Sequence, residues 1–391
     1  MGYTILTGAT GLLGRYLVRD LLEQDVPLAV LVRPSRKKSP QVRVEAMMRS
    51  WENQLGRSLG RPVVLEGDIN QPDFGLNADQ IKWAAENCDG LIHNAASLAF
   101  VTTGRHAEPY RTNVDGTRNV LEFCRQADIR RFFHVSTAYV AGKRVGRCFE
   151  DEVNVGQEVS NCYEQSKIEA EELVRGAAPD MFDSLTVFRP GIIIGDSQTG
   201  MTTTYHNFYA MLQIANTLVS QLGEPNATGL TRADLVKFNL DGHERKNLVP
   251  VDWVSEVMSW IITHPENHGK TYHLTPRATA TTRLMRDVVE ASVGVYGVEF
   301  YGAGERVRET RHDAEDLFFE HMQVYSSYWR DDPEFDTTNT RLAAPHLPCP
   351  HVDRTMLLKL ARIVIQSRFQ WKDPVVTVPP KAAAQLESAG V

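Results

Sequence analysis

Tyr163 and Lys167 are the residues of this sequence whose types and spacing best suit proton transfer. They stand four positions apart in a predicted helix, so both side chains project from one face. A free tyrosine, with a pKa of about 10, is a poor acid–base catalyst at neutral pH. A nearby ammonium group favours the phenolate and should lower that pKa. Ser136 ends a predicted strand and can donate a hydrogen bond to a carbonyl oxygen, and Asn113 can anchor water behind the lysine.

The same spacing has a structural alternative, in which an exposed tyrosine ring lies on a lysine side chain. The start of the chain favours the catalytic interpretation. Residues 3–7 are an apolar run that predicts a buried strand, and Gly8, Gly11 and Gly14 follow before a segment with helical apolar spacing. Glycines allow close approach of the backbone to a pyrophosphate, and a helix N-terminus offers unpaired N–H groups. This order predicts a dinucleotide site, although the spacing G-x-x-G-x-x-G differs from the usual fingerprint.

The end of the second predicted strand indicates which dinucleotide binds. An acidic residue there usually binds the ribose of NAD, whereas an arginine accommodates the 2′-phosphate of NADP. Arg33 stands at this position, with a basic run at 36–38 behind it. We therefore predict NADP(H), with a solvated basic loop as the alternative. Asp68 is a candidate acceptor for the adenine amino group, and Ala95-Ala96 would let the cofactor pass close to the backbone. Both could equally be loop residues.

The composition sets limits on the class of protein. The chain has 391 residues, of which 42% are hydrophobic and 23% charged, so a large buried core is possible. A formal charge of −7 argues against general nucleic-acid binding. Five scattered cysteines without a C-x-x-C pair argue against disulfides and a zinc site. With no membrane span and no signal peptide in the sequence, we expect a cytoplasmic protein without a metal.

Predicted strands alternate with predicted helices through the first 200 residues. Apolar runs predict strands at 3–7, 28–32, 63–66, 90–94, 131–137 and 185–189. This alternation is typical of a doubly wound parallel sheet, a Rossmann α/β fold, whose ligands bind beyond the strand C-termini. One helix is predicted at 110–125, and a later strand at 271–274. We assign 1–200, with 247–265 returning, to an NADP-binding domain, and 201–391 to a smaller, mostly helical substrate-binding part with a flexible tail from about 373.

Several motifs resemble those of the extended short-chain dehydrogenase/reductase family. They are TGATGLLG at 7–14, NAA at 94–96, NVDGT at 113–117, VST at 135–137 and the Tyr163–Lys167 pair. Within that family, Arg33, GDI at 67–69, YEQSKIEAE at 163–171 and RPGIIIGDSQTG at 189–200 resemble the thioester reductase branch. That branch includes fatty acyl-CoA reductases and the terminal reductase domains of carboxylic acid reductases and of peptide or polyketide synthetases.

The resemblance implies a role for each matching residue. Tyr163 would donate the proton, Lys167 would be its pKa partner and ribose anchor, and Ser136 would polarise the carbonyl. Asn113 would support them. The cofactor would contact Gly8, Thr10, Gly11, Leu12, Leu13, Gly14, Arg33, Asp68, Ile69, Asn94, Ala95, Ala96, Thr137, Arg189, Pro190, Gly191 and Ile192.

The implied activity is NADPH-dependent reduction of an acyl thioester to an aldehyde and, if a second hydride follows, to an alcohol. Because the chain begins at its first strand, we expect a stand-alone enzyme that receives its substrate on coenzyme A or on a separate carrier protein. The alternatives are an epimerase, a dehydratase or a hydroxysteroid-type dehydrogenase of the same family. A regulator that senses NADP without turnover is a further alternative, and the Tyr–Lys pair argues against it.

Two groups of residues are candidates for substrate contacts. Basic side chains would meet the phosphates of coenzyme A or an acidic carrier protein: Arg105, Arg111, Arg118, Arg144 and Arg147. Apolar and aromatic residues would frame the acyl pocket: Phe208, Met211, Phe318, Phe319 and Tyr325. The alternatives are a solvated surface for the first group and ordinary core packing for the second.

Overall fold

The computed structural model, which describes residues 2–219, 225–233, 237–238, 240–302, 320 and 322–373, is organised around a parallel β-sheet. The strands are β1 (Tyr3–Thr7), β2 (Leu28–Val32), β3 (Val63–Glu66), β4 (Cys88–His93), β5 (Arg131–Val135), β6 (Arg147–Cys148), β7 (Ser184–Pro190), β8 (Ile192–Ile194), β9 (Thr231–Arg232), β10 (Lys237–Phe238), β11 (Arg245–Lys246), β12 (Leu248–Pro250), β13 (Thr271–Leu274), β14 (Ala280–Thr281), β15 (Val295–Tyr296), β16 (Glu299–Phe300) and β17 (Glu334–Phe335). The α-helices are α1 (Leu12–Glu23), α2 (Pro40–Leu55), α3 (Ala78–Asn87), α4 (Gly116–Gln126), α5 (Cys162–Met181), α6 (Phe208–Leu218), α7 (Val251–Thr263), α8 (Thr282–Val293), α9 (Thr338–Ala343) and α10 (Arg354–Gln366).

The central sheet has seven strands in the order β13-β7-β5-β4-β1-β2-β3, and every neighbouring pair is parallel. The chain runs outward from β1 through β2 to β3, and then returns to the other side of β1 with β4. Ligands of open α/β sheets bind beyond the strand C-termini at such a reversal. The predicted doubly wound fold is confirmed.

Helices cover both faces of this sheet, as parallel strands that are buried on both sides require. On one face, α1, α2 and α7 pack around Trp51 and Met258, and on the other α3, α4 and α5 pack around Phe123 and Val174. Helix α7 is fastened to α1 by the Ser255 hydroxyl, which donates to Asp20 at 2.6 Å. Helix α7, in the segment 247–265, therefore completes the helical layer beside α1.

The predicted elements match the observed ones with informative differences. The helix expected at 110–125 begins only at Gly116, because a wider π-helical turn occupies Arg111–Asp115. Strand β13 joins the central sheet beside β7, although it lies outside the ranges assigned to the NADP-binding domain. The C-terminal part is mostly helical, as expected, with α6, α8 and α10 packed around Leu212, Val288 and Leu360. The tail from about residue 373, which was predicted to be flexible, lies outside the described residues, which end at Asp373.

The motif GDSQTG at 195–200 joins this C-terminal part to the sheet. The Tyr16 hydroxyl of α1 donates to Asp196 at 2.8 Å, and the Ser197 hydroxyl donates to Asp252 of α7 at 2.6 Å. The Lys359 ammonium of α10 donates to the Ser197 carbonyl oxygen at 3.0 Å. Three helices therefore meet at this loop.

Within the described residues, no helix combines the length and the hydrophobicity that crossing a bilayer requires. The same part of the chain contains no group of three or more His, Cys, Asp or Glu side chains arranged to hold a metal ion.

The turn between β1 and α1 depends on two close approaches of the backbone. Gly8 has a φ of +72°, and a Cβ there would lie 2.8 Å from the Ala95 nitrogen. A Cβ on Gly14 would lie 2.1 Å from the Gly8 carbonyl oxygen, which no real Cβ contact allows. The helix can therefore begin directly against the strand only because both residues are glycine.

We expect Gly14→Ala to destabilise the protein by at least about 2 kcal/mol, since the obstructing atoms belong to the backbone and cannot rotate away. Urea unfolding would measure the change. Gly176→Ala is the matched control: no atom lies within 4 Å of the added Cβ, so the change inside α5 should stabilise by up to about 1 kcal/mol. Equal stability of Gly14→Ala and the unmodified protein would show that the turn can accommodate a Cβ beside the Gly8 carbonyl oxygen.

Candidate active site

A cleft of about 630 Å³ runs along the C-terminal edge of the sheet. Most of the predicted site residues line it: Gly8, Thr10, Gly11, Leu12, Leu13, Arg33, Asp68, Ile69, Asn94, Ala95, Ala96, Ser136, Thr137, Tyr163, Lys167, Pro190, Gly191 and Ile192. They come from the ends of β1, β2, β3, β4, β5 and β7 and from the start of α5. The fold thus brings the glycine turn and the Tyr163–Lys167 pair to one cavity.

Arg189 does not line the cleft, although a cofactor contact was predicted for it. Its side chain is buried and bound at two points to Glu171, with Nη2 at 2.6 Å from Oε1 and Nε at 3.0 Å from Oε2. Burial by itself raises the pKa of the Glu171 carboxyl, but the Arg189 guanidinium reverses this and leaves that pKa lowered. Arg189 therefore joins β7 to α5 through a buried ion pair, and this placement corrects the prediction.

Asn113 and Gly14 also stand behind the cleft wall. The Asn113 amide accepts from the Ser97 backbone N–H at 2.7 Å and donates to the Ser97 carbonyl oxygen at 3.0 Å and to Ser166 Oγ at 2.8 Å. These bonds fix the backbone of Ser97, which lines the cleft. The water chain expected behind Lys167 stays a prediction.

Helix α5 holds the two proton-transfer candidates in place. The Asn161 side chain caps its first turn by accepting from the Glu164 N–H at 3.0 Å. One turn further on, the Lys167 ammonium donates to the Val135 carbonyl oxygen at 2.9 Å, at the end of β5. Ser136 follows directly, and its Oγ is buried, makes no close hydrogen bond within the described residues, and lies near enough to Glu171 to lower the pKa of that carboxyl. A buried hydroxyl of this kind beside Tyr163 and Lys167 can donate to a substrate oxygen.

Two arginines meet at the end of β2, and motif analysis found only one. Arg43, on α2, donates from Nη1 to the Arg33 carbonyl oxygen at 2.8 Å and from Nη2 to Thr10 Oγ1 at 2.9 Å. Burial and the nearby charge of Arg33 lower the pKa of Arg43. Both line the cleft, and neither forms an ion pair with a described carboxylate. Arg43 belongs to no motif, so only the fold could reveal it.

The adenine candidates lie beside these arginines. Asp68 lines the cleft with Ile69, and its Oδ1 accepts from the Asn70 N–H at 3.0 Å. The glycine turn, the paired arginines and Asp68 with Ile69 all line the cleft, and only a glycine at position 8 allows the turn to lie so close to the Ala95 backbone. The residues present therefore fit a dinucleotide.

The five arginines predicted as a docking surface all pair with carboxylates. The pairs are Arg105–Glu169, Arg111–Glu108, Arg118–Asp115, Arg144–Glu152 and Arg147–Asp336, at 2.5 to 3.1 Å. Because neighbouring acids offset their charge, they do not form the basic surface that was predicted.

The residues predicted to frame the acyl pocket lie in different parts of the structure. Phe208 is buried in the helical core, and Met211 packs against that core. Tyr325 lies near the cleft, where its hydroxyl contacts His206 Nδ1 at 3.1 Å. Phe318 and Phe319 lie outside the described residues. Sequence analysis missed the aromatic residues that line this end of the cleft: Phe100, Tyr139 and Tyr328.

Residues 6–258 match the family described as male sterility protein, an NAD-binding domain. The chain belongs to this family of extended short-chain dehydrogenase/reductases. The match spans both the glycine turn and α5. It ends within α7, before the aromatic residue Tyr328 that lines the cleft.

Relatives within known proteins agree with this membership. The chain is 27% identical over 322 residues to a linear gramicidin synthase of Brevibacillus parabrevis, covering 80% of this chain and 6% of that protein. It is 27% identical over 295 residues to the carboxylic acid reductase of Mycobacterium tuberculosis, covering 69% and 24%. The terminal R domain from the myxalamid PKS-NRPS pathway has a similar structure, with a TM-score of 0.73, 26% identity and coverage of 96% of this chain and 92% of that one.

The electrostatics of this family member differ from the expectation at Tyr163. Burial raises the pKa of Tyr163 to about 12, while a hydrogen bond from Thr137 acts in the opposite direction. The pKa of Tyr163 is therefore raised and not lowered as predicted, because burial is the largest influence on it. Burial lowers the pKa of Lys167 to about 8, against the influence of Glu171. At neutral pH the phenol keeps its proton, which is the state that a proton donor needs.

We expect Lys167→Met to stabilise the protein at neutral pH. The pKa of Lys167 falls from 10.5 to about 8 on folding, so below pH 8 the buried charge costs the folded state roughly 3 kcal/mol. Losing the bond to Val135 offsets about 1 kcal/mol, which leaves a gain of about 1–3 kcal/mol at pH 7. The gain should shrink as pH rises from 8 towards 10.5, where the unfolded lysine also loses its proton. Urea unfolding at both ends of this range measures it.

Lys82→Met is the control, since Lys82 is exposed on α3 and its replacement should change stability by less than about 0.5 kcal/mol. A Lys167→Met protein that is less stable than the original at pH 7 would refute the assignment of a costly buried charge.

Proposed function

We propose that the chain is an NADPH-dependent reductase that converts an acyl thioester into an aldehyde. The observation that carries the proposal is the placement of a protonated Tyr163, the buried Ser136 hydroxyl and Lys167 in the cleft that also contains the glycine turn. The names of two relatives, a carboxylic acid reductase and a terminal R domain, support the same reaction class. The chain spans a quarter or less of the curated relatives described above, so their whole activities are not transferred to it.

A bound NADPH would supply the hydride. The hydroxyls of Ser136 and Tyr163 would donate to the thioester carbonyl oxygen and stabilise the negative charge that develops on it. Tyr163 would then give its proton to that oxygen, and the Lys167 ammonium would stabilise the remaining phenolate. The product, a hemithioacetal, loses its hydroxyl proton as the C–S bond breaks, which leaves an aldehyde and a free thiol.

The choice of NADPH rests on Arg33 and Arg43. Two guanidinium groups that face one end of a cleft repel each other unless an anion lies between them. A 2′-phosphate is such an anion, and planar guanidinium groups bind phosphate at two points. The acyl group would arrive on coenzyme A or on a separate carrier protein of the cytoplasm, bound by the part of the chain after residue 200.

The reaction can be tested with purified protein, NADPH and parallel acyl-CoA, acyl carrier protein, free aldehyde and nucleotide-sugar substrates. We expect thioester-dependent oxidation of NADPH and release of a thiol. Tyr163→Phe should lower kcat by about 10²–10⁴-fold, because only the proton donor is removed. Binding of NADPH, followed by fluorescence, should stay within about threefold.

Tyr296→Phe is the matched control, since Tyr296 is exposed and lies outside the cleft. Normal turnover by Tyr163→Phe would overturn the assignment of the acid. Activity on the nucleotide sugar alone would replace the proposed function with that of an epimerase or dehydratase.

Cofactor choice gives a separate prediction. Arg33→Ala and Arg43→Ala should each raise the KM for NADPH by about 10–100-fold, as expected for the loss of a charged hydrogen bond to phosphate. The KM for NADH should change little, because NADH has no phosphate at this position. Arg36→Ala is the control, since Arg36 does not line the cleft. A parallel rise in both KM values would show that these arginines support the fold rather than the phosphate.

A further inference from the structure

Aromatic rings surround Tyr163 at the substrate end of the cleft. The ring of Phe100 has its centroid 5.9 Å from that of Tyr163, 5.7 Å from that of Tyr325 and 5.3 Å from that of Tyr328. Tyr328 also meets Tyr139 edge-on at 5.4 Å. We call Phe100, Tyr139, Tyr325 and Tyr328 the aromatic wall. Three of its members line the cleft together with Tyr163, so the wall lies where an acyl group must enter.

The aromatic wall is fixed to the catalytic part by polar contacts. The Asn161 side chain, which caps α5, donates to Ser327 Oγ at 3.2 Å. Asp332 accepts from the Tyr139 hydroxyl at 2.6 Å and forms a buried ion pair with Lys246 at 2.9 Å. Because both ends of the segment that carries Tyr328 are held, its ring has a defined position relative to Tyr163.

Packed side chains stand behind the aromatic wall. Tyr325 and Trp329 pack against a buried apolar cluster, whose members are Leu218, Phe238, Leu240 and Met322. In the described part of the chain, the space behind Tyr325 is therefore occupied by side chains. A long alkyl chain directed that way would have to displace them.

We propose that the aromatic wall makes the enzyme selective for short acyl groups that carry an aromatic ring. This inference rests on the proposed thioester reductase function and names its substrate class. Rings packed edge-to-face or offset gain affinity beyond that of the buried area, by a factor of about 2 to 10 for each pair. Phe100 and Tyr328 pack against each other at 5.3 Å, so a substrate ring would lie on the cleft-facing side of this pair. There it would make two aromatic contacts, and a flexible alkyl chain would make none.

The selectivity can be measured with N-acetylcysteamine thioesters, which need neither coenzyme A nor a carrier protein. Phenylacetyl, cyclohexylacetyl and octanoyl thioesters have the same number of acyl carbons, and a methylene group follows the carbonyl in each, so none of the three carbonyls is conjugated with a ring. We expect kcat/KM for phenylacetyl to exceed that for cyclohexylacetyl by at least about fivefold and that for octanoyl by more.

Variants of Tyr328 test the origin of the preference. Tyr328→Leu should lower kcat/KM for the phenylacetyl thioester by about tenfold and that for the cyclohexylacetyl thioester by less than about threefold. Tyr328→Phe keeps the ring and should keep the preference. Tyr296→Leu, which replaces an exposed tyrosine outside the cleft, is the matched control. If Tyr328→Leu unfolds below the assay temperature, Phe100→Leu provides the same test by removing the neighbouring ring of the aromatic wall.

The outcomes separate the two proposals. The selectivity is overturned if the octanoyl thioester is reduced as efficiently as the phenylacetyl thioester. It is also overturned if Tyr328→Leu lowers kcat/KM equally for the phenylacetyl and cyclohexylacetyl thioesters. In both cases the reductase activity itself is still supported. Absence of NADPH oxidation with these thioesters and with acyl-CoA and acyl carrier protein overturns the function, and the selectivity with it.

Discussion

The hydrogen bond from the Lys167 ammonium to the Val135 carbonyl oxygen is the interaction on which the candidate site depends. A buried ammonium needs an acceptor, and inside a parallel sheet the backbone acceptors are used by the ladder except where a strand ends. The C-terminal end of β5 offers such an acceptor, the Val135 carbonyl oxygen. The bond ties α5 to that edge of the sheet, and Tyr163 lies one helical turn earlier. Ser136 is the residue after Val135, so one bond fixes the relative positions of the three groups proposed for proton transfer.

Local patterns in the sequence predicted the parts of the site that depend on neighbours in the chain. The run at 3–7, the glycine turn and the four-residue spacing of Tyr163 and Lys167 each have a local physical meaning, and the structure places them where the patterns indicated. The pKa of Tyr163 could not be predicted in this way, because burial decides it and spacing does not encode burial. Arg43 was missed for a related reason: its contacts cross from α2 to β2 and to the glycine turn, and no motif marks a contact between distant segments.

Some motifs that are typical of the family contain residues that do not line the cleft. In RPGIIIGDSQTG, Pro190, Gly191 and Ile192 line the cleft, but Arg189 neutralises Glu171 inside the protein. The GDSQTG part binds α1, α7 and α10 to one another through Asp196 and Ser197. A motif can therefore identify a family because it holds helices together behind the site. Only the structure distinguishes this kind of signature from one that contacts the cofactor.

The boundary of the family match divides the candidate site into two parts. Residues 6–258 contain the glycine turn, the paired arginines and α5, whereas Tyr325, Tyr328 and Asp332 follow that range. The two parts are joined by many contacts, among them Tyr139 and Lys246 on Asp332, Asn161 on Ser327 and the pairing of β13 with β7. In the proposed reaction, the groups for hydride delivery and proton transfer all lie in the first part, so the rings of Tyr325 and Tyr328 could differ without replacing a reacting group. The proposed selectivity would then depend on rings from both parts, Phe100 and Tyr139 from the first and Tyr325 and Tyr328 from the second.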